Sequence, residues 1–127
     1  MKTHCSFALA VLAGIGLGVL VVQGIHAQAK PPAYVVVDVD ITNQDGFMKN
    51  YAPEIGKIIA DGGGKYLARG GKIVTIEGAP SKRLLVIGFE NFDKAEAAFT
   101  SAAYEEARKV GYQYAKFRIV AVEGVPQ

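Results

Sequence analysis

The chain is short of the side chains that most often carry catalysis and metal binding. It has one cysteine, two histidines and no tryptophan. Cys5, His4 and His26 all lie within the first 29 residues. If that segment is removed, the rest can form no disulfide, cysteine nucleophile, imidazole metal site or Ser-His-Asp triad. We therefore expect no metal site and no cofactor.

A strong excess of one charge is also lacking. The chain has 14 lysines and arginines against 12 aspartates and glutamates, and the two signs are interspersed. Without a basic tract or an acidic tail, the sequence predicts neither a nucleic-acid partner nor a polycation partner.

Residues 1–29 have the three-part pattern of a secretory signal peptide. Lys2 supplies the positive charge, Phe7 to Val22 is an apolar run, and Ala27-Gln28-Ala29 is a small-x-small cleavage site. We predict export to the periplasm or the medium, with cleavage after Ala29 and a proline-rich spacer at 30–32. The alternative is an uncleaved membrane anchor, since the run counted from Cys5 approaches the roughly 18 residues of a membrane span. The mass of the mature protein tests this prediction.

Residues 33–125 alternate between strand and helix patterns and predict one α+β domain. Pro53 lies inside the first helical pattern, where it removes a backbone donor and predicts a kink or a restart. The predicted elements are a strand over Ala33–Ile41, a helix around Phe47–Ile59, a buried strand over Arg83–Phe89, helices starting near Asp93 and Ser101, and a last strand over Lys116–Glu123.

Two further strand-like runs flank a pair of glycines. Lys65–Arg69 precedes Gly70-Gly71, and Lys72–Glu77 follows it. Two strand patterns joined by two glycines are typical of a β-hairpin. We therefore predict a hairpin in which Arg69 lies opposite Lys72.

The resulting order predicts a ferredoxin-like βαββαβ arrangement with an extra β-hairpin. Such a sheet carries its helices on one face only. The strand patterns at Val35–Val39 and Leu84–Phe89 are apolar on both sides, so the second face needs a cover as well. The economical cover is a second copy, which predicts a homodimer forming a dimeric α/β barrel.

The mature segment resembles the family called domain of unknown function 1330, within the dimeric α/β-barrel superfamily. The matching residues are Tyr34, Asp45, Phe47, Tyr51, the run Gly64–Gly71, Glu77-Gly78, Arg83, Ser101–Tyr104 and Glu123-Gly124. Two features depart from the family pattern: Gly111 stands where an arginine is usual, and the proline usual near Phe92 is missing. The resemblance implies a dimeric barrel and relatives that include cofactor-independent monooxygenases and isomerases, but no established activity.

Arg69 is the first candidate for ligand binding. A guanidinium at a strand end beside a tight turn is well suited to hold a carboxylate through two parallel hydrogen bonds. The alternative is a structural ion pair with Glu77 or another acid. Arg83, one of the family-matching residues, is a second arginine candidate.

Asp38 and two tyrosines complete the candidate set. Asp38 and Asp40 share one face of the first strand, about 7 Å apart by strand rise, and suit a hard cation or a general base. The alternative is the solvated end of an edge strand. Tyr51 and Tyr104 suit a pocket wall or a proton donor, as does Tyr66, whereas aromatic residues at such spacing also form ordinary cores.

Two functions remain open at this stage. In the first, the exported domain binds a small organic molecule, with an anionic one favoured by Arg69, in a pocket between sheet and helices and acts as a binding protein or a cofactor-independent enzyme. In the second, it is a non-catalytic dimeric module of the cell envelope, and the same residues hold the barrel together.

Overall fold

The computed structural model describes residues 30–127, and Pro31–Gln127 forms one compact unit. The predicted signal peptide lies outside the described residues. No helix within residues 30–127 is long and apolar enough to cross a membrane.

Four strands form one antiparallel sheet. They are β1 (Ala33–Ile41), β2 (Lys65–Arg69), β3 (Leu84–Phe89) and β4 (Ala115–Glu123), in the spatial order β2-β3-β1-β4. Two helical segments intervene, one after β1 and one after β3, which gives the ferredoxin-like order βαββαβ. The predicted α+β fold class is confirmed.

Burial alternates along β1 and separates the two faces of the sheet. Ala33, Val35, Val37 and Val39 are buried, whereas the residues between them are only partly buried. Because successive side chains of a strand point to opposite faces, one face of β1 meets the helices and the other is left open. This open face carries Tyr34, Val36, Asp38 and Asp40.

The first helical segment has three parts. A short α1 (Gln44–Gly46) leads into a π-helical turn at Phe47–Tyr51, and α2 follows at Ala52–Asp61. Pro53 is the second residue of α2, directly after the π-helical turn, so the hydrogen-bonding pattern of the helix changes next to this proline. The predicted restart near this proline is therefore confirmed.

The second helical segment consists of α3 (Phe92–Thr100) and α4 (Ala102–Gly111), separated by Ser101. The Ser101 hydroxyl caps α4 by accepting a hydrogen bond from the Tyr104 amide. The start predicted for α4 at Ser101 is confirmed. The α1 and α3 helices are capped by the Asn43 and Asn91 side chains, which accept hydrogen bonds from the Gly46 and Lys94 amides.

The predicted β-hairpin is wrong. Lys65–Arg69 forms β2, but Lys72–Glu77 joins no strand, and β2 pairs with β3. Arg69 lies opposite Leu85 and not opposite Lys72. The Gly70 amide donates to the Leu84 carbonyl, so the ladder continues into β3 and the intervening segment leaves the sheet.

Candidate functional site

A narrow cavity lies between the covered face of the sheet and the helices. Its volume is about 50 Å³. Every wall residue is apolar or aromatic: Val37, Val39, Phe47, Tyr51, Ile55, Ile59, Tyr66, Leu85, Ile87, Phe99, Phe117 and Ile119. The cavity is well below the roughly 300–1,000 Å³ of ordinary ligand sites. In this conformation it has room for the tip of an apolar molecule.

Tyr51 is the polar group of this cavity that is most deeply buried, with 3% of its surface exposed. Tyr51 ends the π-helical turn, four residues after Phe47, and the two ring centroids lie 5.1 Å apart. Phe117 of β4 packs against both rings, with its centroid 5.3 Å from that of Tyr51 and 6.3 Å from that of Phe47. Single π-turns of this kind frequently occur at functional sites.

The Tyr51 hydroxyl makes no hydrogen bond with any residue between 30 and 127. No side-chain nitrogen or oxygen of the described residues is completely enclosed without a partner. The Tyr51 oxygen therefore retains access to open space and has one free donor. A buried phenol without a protein partner is the feature of the cavity that most suggests a ligand.

The pKa of Tyr51 is raised. Burial is the main cause, and the nearby phenols of Tyr104, Tyr66 and Tyr112 add to it by electrostatic repulsion of the phenolate. Tyr51 is therefore a neutral hydrogen-bond donor at physiological pH and a poor base.

Gly111 supports the ring of Tyr51. A Cβ atom at position 111 would lie 2.8 Å from the Tyr51 Cε2 atom, closer than packed carbon atoms approach. Gly111 is buried near the end of α4. The absence of the arginine expected from the family resemblance therefore has a structural consequence: the tyrosine ring occupies the space in which a longer side chain would begin.

Tyr66 connects the cavity to Arg69. The Tyr66 ring lines the cavity, and the Arg69 guanidinium carbon lies 4.2 Å from the ring centroid. A β-bulge between Tyr66 and Ala68 makes this possible. Residues three apart on a regular strand face opposite sides, but the extra residue puts Tyr66 and Arg69 on the same face. Arg69 thus lies at the rim of the cavity.

Arg69 has no carboxylate within ion-pair distance among the residues that the structure describes. The alternative role as a structural pair with Glu77 does not occur. Its charge interacts with the Tyr66 ring, a cation–π contact of about 0.5–1 kcal/mol at an exposed site. The guanidinium N–H groups at its edge remain available to an anion.

Arg83 lies in a neighbouring depression. Its guanidinium packs against Gly70, where a Cβ atom would collide with it. Asp40, Gln44 and Lys82 line the same depression, which shares only Val39 with the cavity. Arg83 is therefore close to the turn that follows Arg69, but it is not a wall of the cavity.

Asp38 is separated from the cavity by the sheet. It lies on the open face and accepts a hydrogen bond of 2.8 Å from the Ser81 hydroxyl, and Lys82 approaches Asp40 at 3.3 Å. β1 is an inner strand, so the alternative of an edge-strand end is wrong. In the described part of the chain, no three acidic, histidine or cysteine residues cluster as a metal site would require.

Tyr104 is buried but is not a wall of the cavity. Its ring packs edge-on against Phe99 at 5.0 Å. Burial is the main cause of its raised pKa. Tyr104 therefore packs against Phe99, which is a wall of the cavity. The candidate residues thus divide into Tyr51 in the cavity, Arg69 at its rim, Tyr104 behind it, and Arg83 and Asp38 elsewhere.

Sequence reasoning missed Phe117 and Ile119 of β4 as cavity walls. A signal was present, since both belong to the alternating apolar positions of the last strand. Alternation indicates that a residue faces the core, but not which part of the core contains empty space.

Comparison with protein families gives one match, to the model described as "Domain of unknown function (DUF1330)", over residues 32–125. No curated protein matches the chain. A crystal structure of a protein of unknown function from Rhodopseudomonas palustris is similar with a TM-score of 0.60 and 15% identity, covering 84% of this chain and 93% of that one.

A second similar structure is SnoaB from Streptomyces nogalater, described as a cofactor-independent oxygenase. Its TM-score is 0.54 with 7% identity, covering 76% of this chain and 96% of that one. At such identities both likenesses show a common fold.

Proposed function

Because the chain belongs to the family of domain of unknown function DUF1330, a family description that names no activity, we propose a function from the cavity itself: binding of a small organic anion. The body of the ligand enters the cavity, where an oxygen on it accepts a hydrogen bond from the Tyr51 hydroxyl, and its carboxylate or similar group lies at Arg69. The observation that carries this proposal is the buried Tyr51 hydroxyl without a hydrogen-bond partner among residues 30–127.

The size of the cavity constrains how such a ligand binds. A volume of about 50 Å³ is several times smaller than the roughly 300 Å³ of even a small ligand pocket. A ligand of ordinary size must therefore displace the Tyr66 side chain and widen the cavity toward Arg69. The exposed position of Arg69 on the edge strand β2 makes this rim the easiest wall to move.

Binding is favoured over catalysis by the composition of the walls. They carry no carboxylate, lysine or arginine, and Tyr51 has a raised pKa. The cavity thus offers a proton donor without a general base beside it. An oxygenase activity like the one named for SnoaB is the catalytic version of this proposal, and oxygen uptake on addition of a bound compound is its readout.

The experiment is a thermal-shift and calorimetric screen of the chain from Lys30 onward. The probes are 4-hydroxybenzoate and 4-hydroxyphenylacetate, whose ring oxygen can accept from Tyr51, and benzoate, which lacks that oxygen, with benzamide as an uncharged counterpart. We expect a carboxylate to stabilise the protein and benzamide to do so less. Arg69→Lys should weaken binding by about 1–3 kcal/mol although it keeps the charge, because the planar fork of donors is lost.

Control variants separate a ligand role from a structural one. Arg118→Ala removes an exposed arginine of β4, remote from the cavity rim, and should leave the affinity unchanged. Tyr51→Phe should weaken binding without loss of stability in the free protein, since its hydroxyl has no partner to lose. If no compound stabilises the wild type while Arg69 variants melt earlier, Arg69 is structural and the proposal fails.

The second candidate function is a non-catalytic dimeric module. The specific observation in its favour is the open face of the sheet, where Leu67, Val120 and Val122 expose 61%, 42% and 50% of their surfaces. A negative ligand screen together with a stable dimer would favour this alternative.

A further inference from the structure

Two arginines lie at one end of the covered face of the sheet. Arg69 ends β2 opposite Leu85 of β3. Arg83 directly precedes β3, two residues before Leu85. The Val39 amide donates to the Arg83 carbonyl at 3.0 Å, so the ladder between β1 and β3 continues through position 83. Because alternate residues of a strand share a face, the Arg83 side chain starts on the same side as Val39 and Leu85, which are walls of the cavity.

The register brings the two arginines within reach of one ligand. On one face of an antiparallel pair, a residue and the diagonal neighbour of its opposite partner lie about 7–8 Å apart, a distance that long side chains can span. Arg69 and Arg83 have this diagonal relation. The Arg69 guanidinium lies over the Tyr66 ring, and the Arg83 guanidinium packs against Gly70, the residue after Arg69. The two sets of donors therefore lie beside the same short stretch of backbone.

Gly70 makes room for the Arg83 guanidinium. Its φ of +69° is a conformation that residues with a side chain rarely adopt, and a Cβ atom at this position would collide with the guanidinium. The glycine after Arg69 therefore allows a second arginine to lie against the backbone of the turn.

The positive charge at this end of the sheet is not balanced by acidic residues. Asp40 lines the same depression as Arg83, but its carboxylate is paired with Lys82 at 3.3 Å. Neither Arg69 nor Arg83 has a carboxylate within ion-pair distance among residues 30–127. Neighbouring guanidinium groups without a counter-charge repel each other, and an anion that contacts both removes this repulsion.

We propose that the ligand of the cavity is an aromatic dicarboxylate, with one carboxylate at Arg69 and the second at Arg83. The depression that contains Arg83 has a volume of about 250 Å³ and shares Val39 with the cavity, so the two spaces are adjacent. One guanidinium holds one carboxylate through two parallel hydrogen bonds, so two separate arginines match two separate carboxylates. This inference rests on the proposed ligand binding and adds the class of compound that binds.

A matched set of compounds tests the second carboxylate. 4-Hydroxyphthalate is 4-hydroxybenzoate with one further carboxylate, and the methyl ester of that added group keeps the size but loses the charge. In calorimetric titrations we expect the wild type to bind 4-hydroxyphthalate about tenfold more tightly than the other two compounds. Equal affinities for 4-hydroxyphthalate and 4-hydroxybenzoate would overturn this inference and leave the ligand-binding proposal standing. Absence of binding by all three compounds would overturn both.

Single substitutions test the contact itself. Arg83→Lys keeps the charge but loses the planar fork of donors, so it should weaken 4-hydroxyphthalate binding about fivefold to tenfold and 4-hydroxybenzoate binding about twofold or less. Arg69→Lys should weaken the binding of both compounds. The melting temperature of each free variant shows whether it is folded, and the comparison of compounds on the wild type does not depend on the variants.

Lys82→Gln is the matched control variant. It removes a positive charge from the same depression, but from a side chain that is already paired with Asp40. It should change the preference for 4-hydroxyphthalate over 4-hydroxybenzoate by about twofold or less. If Lys82→Gln reduces this preference as much as Arg83→Lys does, the preference reflects net charge and the assignment of Arg83 is wrong.

Discussion

The two faces of the sheet are built from the same four strands but are completed differently. On the covered face, Val35, Val39 and Ile87 are almost fully buried beneath helices of the same chain. On the open face, the alternate residues of the same strands remain partly exposed. One chain thus supplies a complete core on one side and half of a core on the other.

Adjacent residues of β3 allow a direct measurement of this difference. Ile87→Ala removes a side chain that is 1% exposed on the covered face and should lower the free energy of unfolding by about 2–5 kcal/mol. Val86→Ala, on the half-buried open face, should have a much smaller effect on the monomer. Urea unfolding at low protein concentration gives both values. Equal losses would mean that the open face is already as tightly packed as the covered one.

Two glycines in the helices of the covered side allow a second comparison of stability. Gly111→Ala forces a methyl group against the Tyr51 ring and should lower stability by about 1–3 kcal/mol. Gly56→Ala in α2 meets nothing within 4 Å and should raise stability by about 0.5–1 kcal/mol, because alanine is the better helix former. The melting temperatures of the two variants should therefore move in opposite directions. A stabilised Gly111→Ala variant would show that Tyr51 has room to shift.

Stability measured at alkaline pH tests the role of Tyr51, the buried phenol of the covered face. The pKa of Tyr51 is raised in the folded protein, so the fold favours the protonated phenol. The contribution of the protonated Tyr51 phenol to the free energy of unfolding is fully present below the unfolded pKa of about 10. It is lost as the pH rises above that value. Stability should fall by about 1.4 kcal/mol per pH unit for such a tyrosine in that range.

Tyr51→Phe is the matching variant for the alkaline experiment. It should be as stable as the wild type at neutral pH, because the hydroxyl has no hydrogen bond to lose, and it should lose less stability above pH about 10. Tyr104, whose pKa is also raised, accounts for part of the remaining slope. Identical alkaline profiles would mean that Tyr51 does not titrate in a buried environment.

The sequence predicted the elements whose patterns are local. The β-branched run of β1, the restart at Pro53 and the Ser101 cap each depend on neighbouring residues, and each was confirmed. The hairpin failed because Gly70-Gly71 is compatible with a tight turn but does not require one. The pairing of β2 with β3 depends on non-local contacts that run from Lys65 opposite Gly88 to Arg69 opposite Leu85.

The candidate site was predictable only in part for the same reason. Tyr51 was identified from helical spacing, and the structure places it in the cavity. The contact between Arg69 and Tyr66 was not foreseeable, since it depends on a bulge that shifts the register by one residue. Asp38 and Asp40 were correctly assigned to one face of β1. Their partners, Ser81 and Lys82, lie more than forty residues away along the chain.

The bulge in β2 also bears on how far association can proceed. A sheet with two regular edges can grow in both directions, which is the geometry of fibrils. Here one edge is irregular, and Lys65 and Arg69 at its two ends add positive charges that repel a like strand. Stacking of successive molecules edge to edge is therefore blocked at one side. A concentrated solution of this protein should remain free of ordered aggregates even though each molecule exposes apolar β-branched residues.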